Sequence, residues 1–428
     1  MKTIEELYEI FLRCGKVSTD TRRIEPGSMF FALKGANFNG NQFAAEALEK
    51  GAAYAVIDEA DYQQGERFLL VEDVLTALQK LAHHHRMQVD IPVIGINGTN
   101  GKTTTKELLY AVLSQKYQTL ATRGNLNNHI GVPLTLLEMT KDTEIAIIEL
   151  GANAVGEIAA LCQIAHPTYG LTTNIGKAHM EGFGGLEGAI RGESEQYDYM
   201  RKTSGTVFIN SQNPILSNMA KRFANPYFYP AKGDYFHCKF ISADPFVRYR
   251  PESGQDVETQ LLGGYNFENI AAALCIGKFF EVPAEQANQA VATYQPSNKR
   301  SQIIKKGSNT IILDAYNANP DSVQAAIENL KAMQAPKKVA ILGDMYELGE
   351  DGPQEHRAIG QQLASAGFTQ VFLCGELMQD AATVYPDAQY FPQKNELEAY
   401  LKENPIQEST ILLKASRGIA LESLVDLF

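Results

Sequence analysis

The chain lacks the features that would place it in an oxidising compartment or in a membrane. It has five cysteines, none of them in a CxxC pair, at positions Cys14, Cys162, Cys238, Cys275 and Cys374. This scattered spacing favours reduced thiols over a disulfide framework or a zinc site. No run approaches the roughly 18 consecutive apolar residues that a membrane-spanning helix needs. We therefore expect a cytoplasmic protein with no membrane insertion.

An excess of positive charge is also missing. The chain has 38 Lys and Arg residues against 50 Asp and Glu residues, a formal net charge of -12. Nucleic-acid-binding surfaces are basic, so we expect no nucleic-acid partner. The opening stretch MKTIEELYEIFLRCG is acidic where a signal peptide would be basic and then apolar. Small anionic ligands stay compatible with this charge, because a local loop can bind an anion within an acidic protein.

The length and composition indicate a globular protein of several domains. A chain of 428 residues, with 44% hydrophobic and 21% charged residues, is too long for one ordinary core. Apolar runs alternate with helical patterns, which predicts an α/β protein. We predict a smaller N-terminal α/β domain, a central P-loop domain with a doubly wound parallel sheet, and a C-terminal domain with a Rossmann-like sheet, at residues 1–90, 91–296 and 297–428.

Short apolar runs mark the strands of each predicted domain. The first domain has SMFFAL and AAYAVID, with the helical pattern NQFAAEALEKG between them. The central domain has IPVIGI, EIAIIEL, YGLTTNI and TVFIN, and the last has TIILDAY, KVAILGDM, QVFLCG and TILLKAS. Such uninterrupted runs are typical of strands buried on both faces of a sheet. Residues 234–260 are irregular and rich in β-type residues, and their pattern does not place them.

The stretch VIGINGTNGKTTTKELL, Val93 to Leu109, has the order strand, glycine turn, helix. Free N–H groups and the positive end of the helix dipole would face the turn, which suits phosphate. Lys102 would then reach the β and γ phosphates, and the Thr103 hydroxyl would bind magnesium. The strict pattern GxxxxGK[ST] is not met, because Gly95 lies one residue too early. A glycine turn without a ligand is the alternative.

Polar side chains follow two of the central strands, where ligands collect in open parallel sheets. Glu149 ends the run AIIEL and His179 follows the run YGLTTNI. These residues suit a metal-nucleotide site, although a strand-end charge and a loop histidine are the ordinary alternatives. The three histidines at 83–85 are not expected to share a metal ion, because adjacent helical residues point about 100° apart.

Taken together, several motifs resemble the Mur ligase family over essentially the whole chain. They are GINGTNGKTTT, TRGNLNNHIGVPLTLL, IIELGANAVGEI, TNIGKAHMEGFG, LLGGYNFENIAAAL, ILDAYNANPDSV, LGDMYELGE and LKASRGIALE. The opening STDTRRIEPGSMFFALKG resembles the nucleotide-sugar end of the two final ligases of the series. GNLNNHIGVP and DAYNANP most resemble the member that adds D-alanyl-D-alanine to a UDP-linked muramoyl tripeptide.

This resemblance implies a reaction and its cofactors. ATP would phosphorylate the terminal carboxylate of the UDP-MurNAc-tripeptide, and the amine of D-Ala-D-Ala would attack the resulting acyl phosphate. The products would be the pentapeptide, ADP and phosphate, in peptidoglycan precursor synthesis, on which cell shape and division depend. ATP and Mg2+ are the implied cofactors. A monomer is the default expectation, since nothing in the sequence sets the oligomeric state or the third residue of the peptide.

The resemblance also assigns roles to individual positions. The implied catalytic residues are Lys102, Glu149, His179, Glu193 and Arg300, and the implied metal ligands are Thr103, Glu149, His179 and Glu193. The implied ATP-binding residues are Asn97, Gly98, Thr99, Asn100, Gly101, Lys102, Thr103, Thr104, Asn269, Arg300, Asp314, Tyr316 and Asn317. The implied substrate-binding residues are Asp20, Thr21 and Arg22 for uridine diphosphate, Asn125 and Asn128 for the muramoyl end, and Lys414, Ser416 and Arg417 for the dipeptide.

Three positions depart from the family pattern. Glu193 stands where members carry a lysine that CO2 carbamylates to hold a second magnesium. Its carboxylate is permanent but its arm is shorter by roughly 3–4 Å, so we expect a bridging water, a shifted backbone or help from Glu195. A solvated helix charge with no metal role is the alternative. Tyr265 replaces a histidine before the adenine-binding asparagine, and Ala415 replaces a glycine, which would crowd an approaching substrate.

Two other functions remain open at this stage. One is another ATP-dependent ligase of the superfamily that joins a different amino acid or polyglutamate. The other is a nucleotide-binding regulatory relative that has lost ligation, for which Glu193 is the best argument. If the chain is a ligase, we expect the domains to close by rotation about a hinge near Pro296 to Lys299, because an acyl phosphate must be kept from water.

Overall fold

The computed structural model describes residues 1–296 and 300–428. Three groups of helices and strands follow one another along the chain, and each is built on its own main sheet. The α/β fold with parallel sheets predicted from the sequence is confirmed. Most of the predicted hinge, residues 297–299, lies outside the described residues.

The N-terminal group is a small α/β layer. Its sheet has the order β1-β2-β5-β6 and is parallel throughout. Its elements are α1 (Ile4–Cys14), β1 (Val17–Ser18), β2 (Met29–Phe31), β3 (Lys34–Gly35), β4 (Phe38–Asn39), α2 (Ala44–Glu49), β5 (Tyr54–Ile57), β6 (Phe68–Leu70) and α3 (Val74–Gln88). Short 3-10 turns lie at Thr21–Arg23, Gly40–Phe43 and Ala60–Tyr62.

The central group is a doubly wound sheet. Its parallel strands have the order β12-β11-β10-β7-β9-β8, and a three-stranded antiparallel sheet, β13-β14-β15, follows. The strands are β7 (Val93–Asn97), β8 (Thr119–Ala121), β9 (Ile145–Glu149), β10 (Tyr169–Thr172), β11 (Thr206–Asn210), β12 (Tyr227–Tyr229), β13 (Cys238–Ala243), β14 (Phe246–Pro251) and β15 (Val257–Leu262). The helices are α4 (Lys102–Leu113), α5 (Gly131–Leu136), α6 (Glu157–Ala165), α7 (Met180–Phe183), α8 (Leu186–Glu193), α9 (Glu195–Thr203), α10 (Pro214–Ala220), α11 (Asn266–Phe279) and α12 (Ala284–Thr293).

The C-terminal group is a second six-stranded sheet, of order β16-β17-β21-β18-β19-β20. Only β16 runs antiparallel to its neighbour. The strands are β16 (Gln302–Lys306), β17 (Asn309–Asp314), β18 (Lys338–Gly343), β19 (Gln370–Cys374), β20 (Gln389–Phe391) and β21 (Thr410–Lys414). The helices are α13 (Pro320–Ala332), α14 (Gly352–Ala366), α15 (Gln379–Val384) and α16 (Lys394–Glu403), with 3-10 turns at Gly349–Asp351, Arg417–Ile419 and Leu421–Leu427.

The buried strands explain why the uninterrupted apolar runs were informative. All five residues of β7 and all five of β9 are buried, as expected for strands covered by helices on both faces. The segment that the sequence pattern could not place, 234–260, contains most of the three-stranded antiparallel sheet. Within the described residues, no helix is long and apolar enough to cross a bilayer.

Candidate functional site

The phosphate loop joins β7 to α4 as the sequence predicted. Gly98 and Gly101 have φ angles of 127° and 82°, which L side chains rarely adopt. A side chain at Gly101 would also overlap the amide of Asn269. Glycine is therefore required there, and the first amides of α4 open toward the loop.

Gly95, whose position breaks the strict loop pattern, has a different task. It lies inside β7, where the side chain of Gln196 on α9 donates a 2.8 Å hydrogen bond to its carbonyl. A Cβ atom at this position would lie 3.2 Å from Gln196 Nε2 and 3.2 Å from Pro167 Cβ. Gly95 thus allows α9 to pack on the strand and is not part of the loop.

Lys102 begins α4 and folds back over the loop. Its Nζ donates to the carbonyl of Gly98 and, at 3.1 Å, to that of Thr99. The ammonium is therefore already held at the centre of the loop, where phosphate oxygens can replace the carbonyls as acceptors. The cation is in the predicted place.

Glu149 ends β9 directly beside α4 and is 1% exposed. Its Oε1 accepts hydrogen bonds from the Thr103 hydroxyl at 3.0 Å and from Asn127 Nδ2 at 2.9 Å. Its Oε2 has no hydrogen-bond partner among the described residues and lies 3.5 Å from Lys106 Nζ. A buried carboxylate oxygen with spare lone pairs beside a threonine hydroxyl is the donor set that magnesium prefers, so Thr103 and Glu149 fit the first predicted ion.

The other two predicted metal ligands do not join this pair. His179 lies in the left-handed region, with φ 51°, and its Nδ1 pairs with the carboxylate of Glu347, which follows β18 in the C-terminal group. Glu193 is 3% exposed and is absent from the cavity lining. In the part of the chain that the structure describes, no three His, Cys, Asp or Glu side chains converge on a metal position. The roles of His179 and Glu193 as ligands of a second ion stay predictions.

Glu193 is enclosed instead beneath the phosphate loop. The side chain of Asn97 donates to its backbone carbonyl and to its Oε2, both at 2.8 Å. Burial raises the pKa of this carboxyl above its usual value, while the charge of Lys102 and the hydrogen bond from Asn97 oppose that rise. Glu195, expected to help, accepts the backbone N–H groups of Gly156 at 2.6 Å and Ala159 at 2.9 Å at the start of α6.

One cavity of about 620 Å³ opens over the loop and is shared by the central and C-terminal groups. It contains both ends of the predicted nucleotide site. The predicted residues that line it are Thr99, Asn100, Gly101, Lys102, Thr103, Thr104, Asn125, Asn128, Glu149, His179, Asn269, Arg300, Asp314, Tyr316, Asn317 and Lys414. Those that do not are Asn97, Gly98, Glu193, Asp20, Thr21, Arg22, Ser416 and Arg417.

The C-terminal wall of the cavity carries cations beside an aromatic ring. The guanidinium of Arg300 lies 4.0 Å from the centre of the Tyr316 ring, and its buried Nε has no hydrogen-bond partner among the described residues. Lys414, 2% exposed, donates to Asp314 Oδ2 at 2.7 Å and to the carbonyl of Asn317 at 3.1 Å. Arg300 and Lys414 thus place two cations in the lining of the cavity, and the role of Arg300 toward the phosphates stays a prediction.

The end of β21 differs from the expectation for the dipeptide loop. Ser416 is 3% exposed, and its hydroxyl accepts the backbone N–H of Tyr346 at 2.9 Å. Arg417 is exposed outside the cavity lining. The methyl group of Ala415 is fully buried in the sheet core against Gly343, so it crowds the interior and not the substrate side.

The predicted adenine residues support the loop. Asn269 accepts the Thr105 hydroxyl at 3.0 Å and donates to Asn266 Oδ1 at 2.8 Å, while its side chain fills the space beside Gly101. The Tyr265 hydroxyl lies 2.6 Å from Ser301 Oγ at the cavity wall. Both residues reach the cavity, and contact with a base stays a prediction.

The predicted uridine residues form a separate motif. Asp20 begins the 3-10 turn Thr21–Arg23 and accepts the backbone N–H of Arg22 at 2.9 Å. The Arg22 guanidinium beside this carboxyl lowers the pKa of Asp20 to about 2. Asp20 is therefore ionised at neutral pH, and Arg22 is exposed next to it. Their substrate role stays a prediction.

Sequence reasoning missed two residues that hold Glu149. Asn127 belongs to the motif GNLNNHIGVP but only its neighbours were selected. Lys106 lies four residues after Lys102 in α4, is 2% exposed, and donates to the carbonyl of Gly124 at 3.2 Å. A lysine one helical turn after the loop lysine was the available signal, because residues i and i+4 share a helix face.

It also missed a set of contacts between the central and C-terminal groups, which we call the clasp. Asn100 and Asn319 exchange side-chain amide hydrogen bonds, with Asn319 Nδ2 2.9 Å from Asn100 Oδ1. The backbone N–H of Lys177 donates to Asp321 Oδ2 at 2.7 Å, and its Nζ lies 2.6 Å from Glu355 Oε1. The pair His179–Glu347 completes the clasp. These contacts close the cavity on one side.

Comparison with known proteins agrees with this geometry. The descriptions "Mur ligase family, catalytic domain", "Mur ligase middle domain" and "Mur ligase, glutamate ligase domain" match residues 15–86, 96–277 and 299–417. A UDP-N-acetylmuramoyl-tripeptide--D-alanyl-D-alanine ligase from Bacillus subtilis (strain 168) is 34% identical over 420 residues, 96% of this chain and 92% of the relative. The ligase of that name from Escherichia coli (strain K12) is 33% identical, over 98% of this chain and 95% of its own.

Solved structures give the same result for the fold. A crystal structure of MurF from Acinetobacter baumannii has a TM-score of 0.86 and 31% identity, covering 96% of this chain and 93% of its own. The MurF ligase from Thermotoga maritima in complex with ADP has a TM-score of 0.84 and 27% identity, covering 100% and 98%. The phosphate loop lies at the carboxyl end of a central strand of a doubly wound sheet and faces a second α/β sheet across the cavity. Together with these relatives, this arrangement indicates a nucleotide-dependent ligase of three domains.

The chain belongs to the Mur ligase family. The family resemblance and the enzyme class predicted from the sequence are confirmed. The residue boundaries of the domains and the roles of individual site residues stay predictions.

Proposed function

We propose that the chain joins D-alanyl-D-alanine to UDP-N-acetylmuramoyl-tripeptide at the expense of ATP, giving UDP-MurNAc-pentapeptide, ADP and phosphate. The observation that carries this proposal is the single cavity in which the phosphate loop, Glu149 and the C-terminal residues Arg300 and Lys414 all meet. Relatives of this name match nearly the full chain, which supports the choice of substrates.

The first step transfers the γ-phosphoryl group of ATP to the terminal carboxylate of the tripeptide. Both reactants are anions, so positive charge has to lie between them in the transition state. Lys102 supplies that charge from the loop and Arg300 supplies it from the opposite wall. Both side chains are held before the nucleotide arrives, so little reorganisation is needed when charge develops.

Magnesium is part of the proposal, with the Thr103 hydroxyl and Glu149 as the residues that would hold it. When bound there, the ion would offset the charge of the β and γ phosphates. The chain's own contribution is to orient the Glu149 carboxylate, which accepts a hydrogen bond from Asn127 and lies beside the Lys106 ammonium.

The second step forms the peptide bond. The amine of D-Ala-D-Ala attacks the acyl carbon, and the tetrahedral intermediate collapses with phosphate as the leaving group. An acyl phosphate hydrolyses if water reaches it, so the cavity must close during turnover. The clasp supports such closure, because it ties Lys177 and His179, in the segment after β10, to the C-terminal group.

Three further statements belong to this proposal. Asp20, Thr21 and Arg22 hold the uridine diphosphate end, and Asn125 and Asn128 face the muramoyl end. The domain limits are 1–90, 91–296 and 297–428. The enzyme acts as a monomer, and it acts in the cytoplasm, which agrees with five cysteines that form no disulfide.

The test is phosphate release from ATP with magnesium, with each substrate supplied alone and both together, in CO2-depleted buffer. We expect release only when both substrates are present, and without added CO2. Release that ignores both substrates, or no release, would contradict the ligase proposal. Release with another acceptor amino acid and none with D-Ala-D-Ala would favour a different ligase of the superfamily.

A further inference from the structure

The residues beneath the phosphate loop form a closed hydrogen-bond network. Asn97 is the last residue of β7 and is fully buried. Its Nδ2 donates to Glu193 twice, at 2.8 Å each, and its Oδ1 accepts the Thr172 hydroxyl at 2.7 Å. We call Asn97, Thr172 and Glu193 the loop floor. All three polar functions of the Asn97 amide are thus used inside the protein.

Glu193 occupies an unfavourable place for a carboxylate. It is the last residue of α8, where the helix dipole disfavours negative charge, and only 3% of it is exposed. Three features offset this cost: the nearby charge of Lys102, the hydrogen bond from Asn97 and a hydrogen bond from the backbone N–H of Gly98. The carboxylate is therefore tied to the base of the loop, and Glu193 is not among the residues that line the cavity.

We propose that Glu193 is a positioning residue that holds the phosphate loop from below through Asn97, and that it is not a ligand of magnesium. The proposal rests on nucleotide binding at the loop, as proposed above. It gives this chain's departure from the carbamylated lysine a role that requires neither CO2 nor a second metal.

The physical reason lies in the first residue of the loop. Gly98 follows Asn97 directly and has a φ angle of 127°, so its backbone has more freedom than any other residue type would allow. A loop that binds phosphate must present its N–H groups in one arrangement before the ligand arrives. Fixing Asn97 on two sides, by Glu193 and by Thr172, limits that freedom at the point where the strand becomes the loop.

The first experiment measures amide hydrogen exchange in the ligand-free protein, so it does not depend on the proposed activity. Glu193→Ala should speed exchange of the amides of residues 98–104 by about tenfold, the effect of one buried hydrogen bond. Glu193→Gln keeps one acceptor oxygen and should restore most of the protection. Glu195→Gln is the matched control, because its carboxylate bonds α6 and not the loop.

The second experiment measures ADP binding by calorimetry, with EDTA and then with magnesium. Without magnesium, Glu193→Ala and Asn97→Ala should each weaken ADP binding by about tenfold, and the double variant by no more than either alone. The factor by which magnesium strengthens ADP binding should stay at the wild-type value in the Ala and Gln variants. Wild-type protein that binds no ADP would refute the proposed function, while the exchange experiment would still test the loop floor.

Two results would overturn the inference. One is unchanged exchange and unchanged magnesium-free ADP affinity in Glu193→Ala. The other is a Glu193→Gln variant that binds ADP normally with EDTA but gains nothing from magnesium, which would make Glu193 a metal ligand. If Glu193→Ala does not fold, the comparison of Glu193→Gln with Glu195→Gln still decides between the two roles.

Discussion

Two buried carboxylates flank the phosphate loop, and their surroundings differ. Glu149 is 1% exposed and Glu193 is 3% exposed, and each has a lysine charge nearby, from Lys106 and Lys102. Glu149 lines the cavity and keeps one oxygen without a hydrogen-bond partner among the described residues. Glu193 lies beneath the loop, and its Oε2 accepts a hydrogen bond from Asn97 Nδ2. Burial and a nearby lysine are therefore common to both residues, and they differ in that Glu149 lines the cavity and has an oxygen without a hydrogen-bond partner among the described residues.

This contrast explains why the sequence alone did not show that Glu149 and Glu193 lie in different surroundings. The sequence supplies a carboxylate at both positions, Glu149 within a family motif and Glu193 in place of the family's lysine. Their hydrogen-bond partners differ, and the partner of Glu193, Asn97, lies 96 residues away in the chain. Substitutions at Glu149, Lys106 and Glu193 test this contrast, and a substitution at Glu355 tests the closure of the cavity that Glu149 lines.

Replacing Glu149 by Gln should have the largest effect. The variant keeps the shape of the side chain but loses the charge beside the Thr103 hydroxyl. We expect kcat for substrate-dependent phosphate release to fall at least about 100-fold, as when one electrostatic contact is removed from an active site. A fall of less than about threefold would show that Glu149 is no more than a structural neighbour of the loop.

Replacing Lys106 by Met should come next, because it leaves the Glu149 carboxylate buried without its counter-charge. We expect a loss of about 3 kcal/mol in the free energy of unfolding, measured by urea titration. Lys116→Met is the control. Lys116 lies just beyond the end of α4 and pairs with the exposed Glu281, so its loss should cost less than about 1 kcal/mol. Equal losses in the two variants would contradict the pairing of Lys106 with Glu149.

Replacing Glu355 by Gln should have a smaller effect, because it removes only one partly exposed contact of the clasp, the ion pair with Lys177. We expect KM for ATP to rise by about two- to fivefold, the value of one such pair. Glu403→Gln, on the exposed end of α16, should leave KM unchanged. If KM for ATP rises equally in both variants, or in neither, the ion pair between Lys177 and Glu355 does not contribute to closure.

The smallest expected effect is a pH trend in Glu193→Gln. Burial raises the pKa of Glu193 above its ordinary value of 4.5, so the folded protein holds this proton more tightly than the unfolded chain. The extra proton binding of Glu193 stabilises the folded wild type at low pH. This contribution is lost as pH rises from 4.5 through the pKa of the folded state, and the Gln variant has no such loss because it does not titrate. Urea unfolding at several pH values should show the variant gaining relative to wild type with rising pH; a declining difference would contradict this.

The parts of the fold and site that local sequence controls could be predicted. The loop follows from a buried apolar strand, glycines and a helix start within one short stretch, and Lys102 and Thr103 lie where that pattern puts them. The position of Glu149 could also be predicted, because the last residue of a parallel strand lies at the sheet edge where ligands bind. The prediction that Thr103 and Glu149 would hold a metal ion thus needed no knowledge of distant contacts.

The rest depends on contacts between residues far apart in the chain. Glu193 and Asn97 are 96 residues apart, and the side to which the carboxylate points is set by how α8 packs under β7. The clasp pairs Asn100 with Asn319, 219 residues away. Ala415 looked like a substrate-side change but its methyl group enters the core, because side chains alternate between sheet faces and the pattern did not fix the phase at the strand end.

The central claim, that Glu149 and Glu193 have different roles, is tested most directly by ADP binding with and without magnesium in Glu149→Gln and Glu193→Gln side by side. We predict that magnesium strengthens ADP binding to Glu193→Gln as much as to the wild type and has no effect on Glu149→Gln. The reverse pattern, with the magnesium effect lost in Glu193→Gln and kept in Glu149→Gln, would contradict the account.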